Sequence, residues 1–87
     1  MKKGSFLLNG SSLAHDSSIG SGTQLSDGSR VAGRVSVGNE ALIGLNATVN
    51  SGLSIGNFTT IVSGANVYSN VGDKIIFKRD GSMRVIK

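Results

Sequence analysis

One short segment of this 87-residue chain carries side chains that are suited to acid–base chemistry. His15 is the single histidine, and Asp16 follows it directly. Imidazoles titrate near neutral pH, so one at the protein surface can accept a proton from a hydroxyl or an amine and act as a general base. A neighbouring carboxylate can orient the ring or stabilise its charged form. His15 is therefore a candidate catalytic base with Asp16 as its support, and the alternative is an ordinary solvated histidine at a corner.

The composition excludes several other kinds of site. With no cysteine, the chain cannot hold a disulfide, a thiol nucleophile or a cysteine-bound zinc ion, and one histidine cannot build a site of two or three imidazoles within one chain. The sequence has no run of about 18 apolar residues and hence no membrane-spanning helix is expected. The apolar stretch after Lys2 and Lys3 is too short for the core of a signal peptide. We therefore expect no metal site, no membrane contact and a location in the reducing cytoplasm.

A repeat of six residues runs through most of the chain and indicates its fold. The residue two places before each repeated aliphatic is small or β-branched almost without exception. Side chains two apart on a strand point to the same side, so both kinds of residue are expected to face one interior. Eleven successive positions at this spacing are Leu, Ile or Val: Leu7, Leu13, Ile19, Leu25, Val31, Val37, Ile43, Val49, Ile55, Ile61 and Val67.

Hexads of this kind predict an all-β solenoid. Three hexads close a triangular coil, and successive coils stack at about 4.8 Å, the spacing of strands in a sheet. We assign residues 1–72 to this coil domain, with roughly three and two-thirds coils between residues 7 and 72. The repeat is expected to end after Val71, because the next position at this spacing is Asp73, which does not suit an apolar interior.

The segment 73–87 follows another pattern. Two apolar runs, Ile75–Phe77 and Met83–Ile86, flank Asp80-Gly81. Asp-Gly between β-rich runs is a hairpin signal, so we predict a β-hairpin that caps the open end of the coil. The segment is also basic, and its charges either keep the cap soluble or meet an anionic ligand. Nucleic-acid binding is not expected, because the sequence shows no aromatic platform and no recognition helix.

Residues that are 18 apart in the sequence are expected to lie on the same edge of successive coils. Gly33 therefore lies over His15, where the absence of a side chain lets a ligand approach the backbone. Its N–H can bind a carbonyl oxygen and the oxyanion that forms when this carbonyl is attacked. The same spacing groups outward apolar residues on one side of the coil, and an exposed stripe of this kind indicates a protein partner. This apolar stripe consists of Phe6, Leu8, Leu42, Leu45 and Val62.

The hexads resemble those of the hexapeptide-repeat family, whose fold is a left-handed parallel β-helix and whose members usually form trimers. Residues 7–71 resemble in particular the C-terminal β-helix of the bacterial sugar O- and N-acetyltransferases related to sialic acid O-acetyltransferase. The segment His15–Gly20 (HDSSIG) and, one coil later, the segment Ala32–Gly38 (AGRVSVG) carry this resemblance. The left-handed turn follows from the resemblance, since the spacing alone does not give it.

The resemblance implies an acetyltransferase that uses acetyl-CoA and forms a homotrimer with its site between subunits. His15 would deprotonate the acceptor hydroxyl or amine with the support of Asp16. Gly33 would hold the acetyl carbonyl, and Ala32 and Ser51 would contact the cofactor beside it. Such enzymes bind the sugar with the help of an N-terminal nucleotide-fold domain that these residues do not include. Acceptor recognition is therefore expected to be either lost or supplied by a separate partner protein.

Two positions depart from the pattern of these enzymes. Gln24 stands where some of them carry a second histidine, and the Asp80-Gly81 hairpin replaces their usual Pro-Ala-Lys ending. A non-catalytic trimeric β-helix, either a degenerate relative or an assembly module, therefore remains the alternative function. A γ-type carbonic anhydrase is set aside, because it needs three histidines for each metal ion and His15 does not lie on the apolar stripe.

Overall fold

The computed structural model describes the backbone of residues 6–7 and 12–13 and all of residues 16–86. These residues form short β-strands and no α-helix, and none of them belongs to a helix that could cross a membrane. The strands are β1 (Phe6–Leu7), β2 (Ser12–Leu13), β3 (Ser18–Ile19), β4 (Gln24–Leu25), β5 (Arg30–Val31), β6 (Ser36–Val37), β7 (Leu42–Ile43), β8 (Thr48–Val49), β9 (Ser54–Ile55), β10 (Thr60–Ile61), β11 (Asn66–Val67), β12 (Ile75–Phe77) and β13 (Met83–Val85).

The strands stack in three parallel sheets around a common axis. The first sheet has the order β1-β4-β7-β10-β12-β13, the second β11-β8-β5-β2 and the third β3-β6-β9. From β1 to β11, strands that are three places apart in the chain pair in parallel. Leu25 of β4 thus lies beside Ile43 of β7, and Ile43 lies beside Ile61 of β10. The chain is thus a parallel β-solenoid of about three turns, which confirms the all-β coil predicted from the hexads. Its left-handedness stays a prediction.

The repeated aliphatic residues fill the interior of the solenoid. From Ile19 to Val67, each of them is at most 3% exposed. Complete burial of one such side chain stabilises the folded state by about 1.5–3 kcal/mol relative to an exposed side chain. The column of stacked aliphatic residues therefore makes the largest favourable contribution to the free energy of folding. Their strand neighbours, such as Ser18 and Arg30, point outward and are exposed.

The small residues two places before the aliphatics do more than leave room. The hydroxyl of Thr23 is fully buried; it donates to the carbonyl of Gly38 at 2.6 Å and accepts from the N–H of Ala41 at 3.1 Å. Thr59 donates to the carbonyl of Gly72 in the same way, also at 2.6 Å. A buried hydroxyl that both donates and accepts has no unmet hydrogen bond, so these residues join one coil to the next.

The repeat does not end at Val71, contrary to the expectation from the sequence. Val71 pairs with Ile55, and Phe77 pairs with Ile61, in each case at a separation of 16 residues where the lower coils have 18. The corner after Val67 is two residues shorter than the corresponding corners below it. Because side chains alternate along a strand, this even change moves the inward-facing positions by two residues in the sequence, and the side chains there still point inward. Phe77 is fully buried at the next interior position, whereas Asp73 is exposed as expected.

The C-terminal segment forms the hairpin predicted from Asp80-Gly81. Strands β12 and β13 are antiparallel, with Phe77 opposite Met83. Gly81 has a φ of 88°, a left-handed conformation that suits glycine. The N–H and hydroxyl of Ser82 both donate to Oδ1 of Asp80, and these two bonds lower the pKa of the Asp80 carboxyl. The hairpin extends the first sheet, because β12 also pairs with β10.

A ladder of amide and carboxylate side chains runs along the corner between the third and first sheets. Oδ1 of Asn39 accepts from the N–H of Ser21 at 2.8 Å, and Oδ1 of Asn57 accepts from the N–H of Asn39 at 2.7 Å. Asp73 does the same for the N–H of Asn57 at 2.7 Å. The ladder passes close over the glycines of the lower coil. A Cβ at Gly38 would lie 2.8 Å from the nitrogen of Asn57, which is too close for a real contact.

We predict that Gly38→Ala lowers the free energy of unfolding by about 2–3 kcal/mol, because the added methyl group pushes against the backbone of the next coil. Gly72→Ala is the matched control at the equivalent position of the last coil, where a Cβ would meet nothing within 4 Å. It should change the stability by less than about 0.5 kcal/mol. Urea unfolding followed by circular dichroism measures both, and equal stabilities of the two variants would contradict the role assigned to the ladder.

Candidate functional site

Four of the five predicted site residues lie at the corner that connects the second sheet to the third. We call residues 16–17, 32–35 and 50–53 the candidate corner; they occupy three successive coils. His15, the predicted base, lies outside the described residues. Asp16, Ala32, Gly33 and Ser51 all fall within the candidate corner, so the structure brings these four predicted residues to one edge of the solenoid.

The backbone turns in the same way in each coil of the candidate corner. Asp16, Arg34 and Gly52 follow one another at 18-residue spacing and have φ values of 64°, 58° and 78°. Aspartate and glycine tolerate this left-handed conformation better than most residues, and arginine adopts it here in a corner that its neighbours hold in place. Because the turns repeat, the backbone of Arg34 lies over the backbone of Asp16. The sequence analysis did not pair these two residues.

Ser17 ties the first two coils of the candidate corner together. Its hydroxyl donates to the carbonyl of Ala32 at 2.6 Å and accepts from the N–H of Val35 at 3.1 Å. The N–H of Gly52 then donates to the carbonyl of Gly33 at 3.1 Å. These bonds fix the segment that holds Gly33 relative to the coil below and the coil above. From the sequence, Ser17 was expected only to be a small inward residue. Its hydroxyl group is the feature that could have indicated its second role, a hydrogen bond between coils.

Several backbone N–H groups at the candidate corner have no acceptor within residues 16–86, and those of Gly33 and Ser51 are the two that matter for the predicted site. The N–H groups of Gly33 and Ser51 make no hydrogen bond there, whereas Ser21, Asn39 and Asn57, at the corresponding place in another corner, donate to side chains of the next coil. The N–H of Asp27, at the remaining corner, also has no such acceptor. Donors left open in this way can bind a carbonyl oxygen of a ligand.

The exposure of the site residues is graded across the candidate corner. Ala32 and Gly33 are half-buried, while Asp16, Arg34 and Ser51 are exposed. A ligand on this corner would therefore meet a shallow surface with one acidic and one basic side chain at its border. In the part of the chain that the structure describes, no group of three His, Cys, Asp or Glu residues is arranged to hold a metal ion.

The described residues of the apolar stripe lie on the first sheet and the corner that follows it. The strand registers align Phe6, Gln24, Leu42 and Thr60, as the 18-residue spacing predicted. Leu42 is 37% exposed and Leu45 is 49% exposed, while Val62 is half-buried. The side chain of Phe6 and all of Leu8 lie outside the described residues. Ile76 continues the column one strand further and was missed because of the shorter last coil.

Comparisons of the chain with protein-family models, with curated proteins and with solved structures found no significant match.

We predict that Ser17→Ala leaves the buried N–H of Val35 without an acceptor and lowers the free energy of unfolding by about 1–2 kcal/mol. The amide hydrogen of Val35 should then exchange with solvent faster than in the original protein. Ser18→Ala is the control, because Ser18 points outward and its hydroxyl makes no hydrogen bond among the described residues. Hydrogen exchange followed by NMR measures the effect; unchanged protection of Val35 in Ser17→Ala would contradict this role.

Proposed function

We propose that this protein is an acetyl-CoA-dependent acetyltransferase that acts on a hydroxyl or amine of a sugar or a related small molecule. The observation that supports this proposal best is the open N–H of Gly33, which Ser17 and Gly52 hold in place on the coil that follows the coil of Asp16 in the stack. An acyl transfer needs a base on the acceptor and a donor for the oxyanion, and the two lie on adjacent coils of one corner in this proposal.

In the proposed reaction, His15 accepts the proton of the acceptor hydroxyl or amine as that atom attacks the thioester carbonyl of acetyl-CoA. The N–H of Gly33 donates to the carbonyl oxygen, whose negative charge grows during the attack. Asp16 stabilises the imidazolium. When the carbon–sulfur bond breaks, the imidazolium returns its proton to the leaving thiolate, so the base is regenerated and the products are the acetylated acceptor and CoA.

The proposal includes a homotrimer that assembles through the apolar stripe. Leu42 and Leu45 expose apolar surface on the same side of the solenoid, and Ile76 extends that side toward the C-terminus. Burial of this surface against neighbouring subunits would be favourable. A neighbouring chain would then supply the second wall of the acetyl-CoA site, and a separate partner protein would supply acceptor binding.

A non-catalytic trimeric scaffold is the second candidate, because the exposed stripe favours assembly whether or not the protein has catalytic activity. The two functions differ in ligand binding. Only the acetyltransferase requires a site for acetyl-CoA at the candidate corner.

We predict that the protein binds acetyl-CoA with a dissociation constant between about 1 µM and 1 mM, the usual range for enzyme substrates. Gly33→Arg should abolish this binding, because the new side chain covers the open N–H. Gly72→Arg is the matched control: it adds the same side chain at an exposed glycine with no atom near its Cβ position. Isothermal titration calorimetry measures all three proteins, with circular dichroism to verify that each is folded.

Two results would overturn the proposed activity. The first is no heat of binding for the original protein up to millimolar acetyl-CoA, which would leave the scaffold as the function. The second is an equal loss of binding in Gly33→Arg and Gly72→Arg, which would place the ligand elsewhere.

His15→Ala should retain binding within about twofold and lower the rate of CoA release with hydroxyl and amine acceptors by at least about 100-fold, since the general base is lost.

For the trimer, we predict that Leu42→Asp dissociates the protein into monomers, because a carboxylate cannot be buried in an apolar interface without a partner. Ser36→Asp is the control; it adds the same charge to an exposed outward position on the third sheet. Sedimentation equilibrium measures the mass of each protein. A monomeric original protein, or equal effects of the two substitutions, would refute assembly through the apolar stripe.

A further inference from the structure

A second surface, away from the candidate corner, has the features of a ligand site. A groove of about 520 Å³ lies at the C-terminal end of the first sheet and is lined by Val62, Ser63, Ile76, Lys78 and Arg79. We call it the basic groove. Its volume falls within the range that small-molecule sites occupy in proteins. The second sheet separates its corner from the candidate corner within one chain.

The groove exists because the last coil is not completed. In the coil below, the chain turns the corner after Ile61 through residues 62–65. After Phe77 it reverses instead: the N–H of Lys78 donates to the carbonyl of Ser82, and the N–H of Gly81 donates to the carbonyl of Lys78, each at 2.9 Å. The corner at residues 62–65 therefore has no further corner stacked above it, and the hairpin turn stands beside it.

Ser63 offers two neutral donors on this open corner. Its hydroxyl oxygen accepts from the N–H of Leu45 at 3.2 Å, so the hydroxyl proton remains available for a ligand. The N–H of Ser63 has no acceptor among residues 16–86. Ser63 lines the basic groove, and donors of this kind suit the oxygen atoms of an anion.

Two cations complete the polar side of the basic groove. The stem of Arg79 passes over Gly64, where a Cβ would lie 3.3 Å from Cδ of Arg79. No carboxylate forms an ion pair with Lys78 or Arg79 within the described part of the chain. The charge of Lys78 interacts with Asp80, whose Oδ1 accepts two hydrogen bonds from Ser82.

The floor of the groove is apolar. Val62 and Ile76 are half-buried and come from consecutive layers of the solenoid, joined by the bond from the N–H of Val62 to the carbonyl of Phe77 at 3.0 Å. A free inorganic anion would leave this floor unused. A molecule that combines an anionic group with an apolar or planar part would contact both sides of the groove.

We propose that the basic groove binds a small organic phosphate, with the phosphate against Ser63, Lys78 and Arg79 and the apolar part on Val62 and Ile76. A phosphate ester fits because its several oxygen atoms can accept from the guanidinium fork, the ammonium group and the two donors of Ser63 together. The site does not require the proposed acetyltransferase activity. Its floor shares Val62 with the apolar stripe and Ile76 with the extension of that side, so ligand binding in the groove and assembly through these two residues are alternative uses of the same surface.

Titration of the intact protein with phenyl phosphate, followed by ¹H–¹⁵N NMR, tests the proposal. We expect shifts at residues 62–63 and 76–79, and binding at least about fivefold tighter than that of inorganic phosphate because of the apolar floor. Lys78→Gln with Arg79→Gln should weaken the binding of phenyl phosphate by at least about tenfold. Arg30→Gln with Lys74→Gln removes the same charge from exposed positions outside the groove and should weaken it by less than about twofold.

Ile76→Thr supplies a second measurement that keeps the cations intact. It should remove most of the preference for phenyl phosphate over inorganic phosphate, since the floor becomes polar. The proposal fails if both double variants weaken binding equally, which would mean attraction by overall charge alone. It also fails if the shifts occur at Gly33 and Ser51 instead, or if phenyl phosphate causes no shift at about 10 mM, a concentration at which even weak fragment binding is visible.

Discussion

The structure depends on one constraint: each coil must place its backbone N–H and carbonyl groups against those of the coil beside it. Ser18 donates to Val35, Gly20 to Val37 and Ser36 to Leu53, all between 2.8 and 3.0 Å. The bonds form only if the strands of successive coils keep the same register, and this register also stacks each interior apolar side chain on the next. An insertion of one residue would turn the following side chains from the interior to the surface.

The one change of coil length obeys the same constraint. The last coil is two residues shorter, and an even change preserves which side chains point inward. Val71 and Phe77 therefore reach the interior, although the distance from Ile55 and Ile61 is 16 residues. The chain then leaves the solenoid path at Lys78 and forms a hairpin. The missing corner above Val62 and Ser63 creates the basic groove, so the end of the repeat determines where this surface lies.

The candidate corner shows how a site arises between coils that backbone hydrogen bonds join together. At the corner of Asn39 and Asn57, side chains of the next coil bond the turn N–H groups and leave nothing for a ligand. At the candidate corner, Gly33 and Ser51 stand where no side chain of the next coil bonds those groups. Ser17 meanwhile holds the same segment in place. A rigid turn with an open donor is the arrangement that electrostatic stabilisation of an oxyanion requires.

The sequence by itself determined the solenoid, the inward aliphatics from Ile19 to Val67, the alignment of Phe6 with Leu42 and the C-terminal hairpin. These features follow from spacings of two along a strand and 18 between coils, and spacing is visible in the residue order. Only the tertiary structure decided that Phe77 continues the interior and that Ser17 and Thr23 bond neighbouring coils. The basic groove also appeared only there. These features depend on which atoms come into contact after the coils have stacked. A change in the length of one corner alters those contacts, although the alternation of side chains along each strand stays the same.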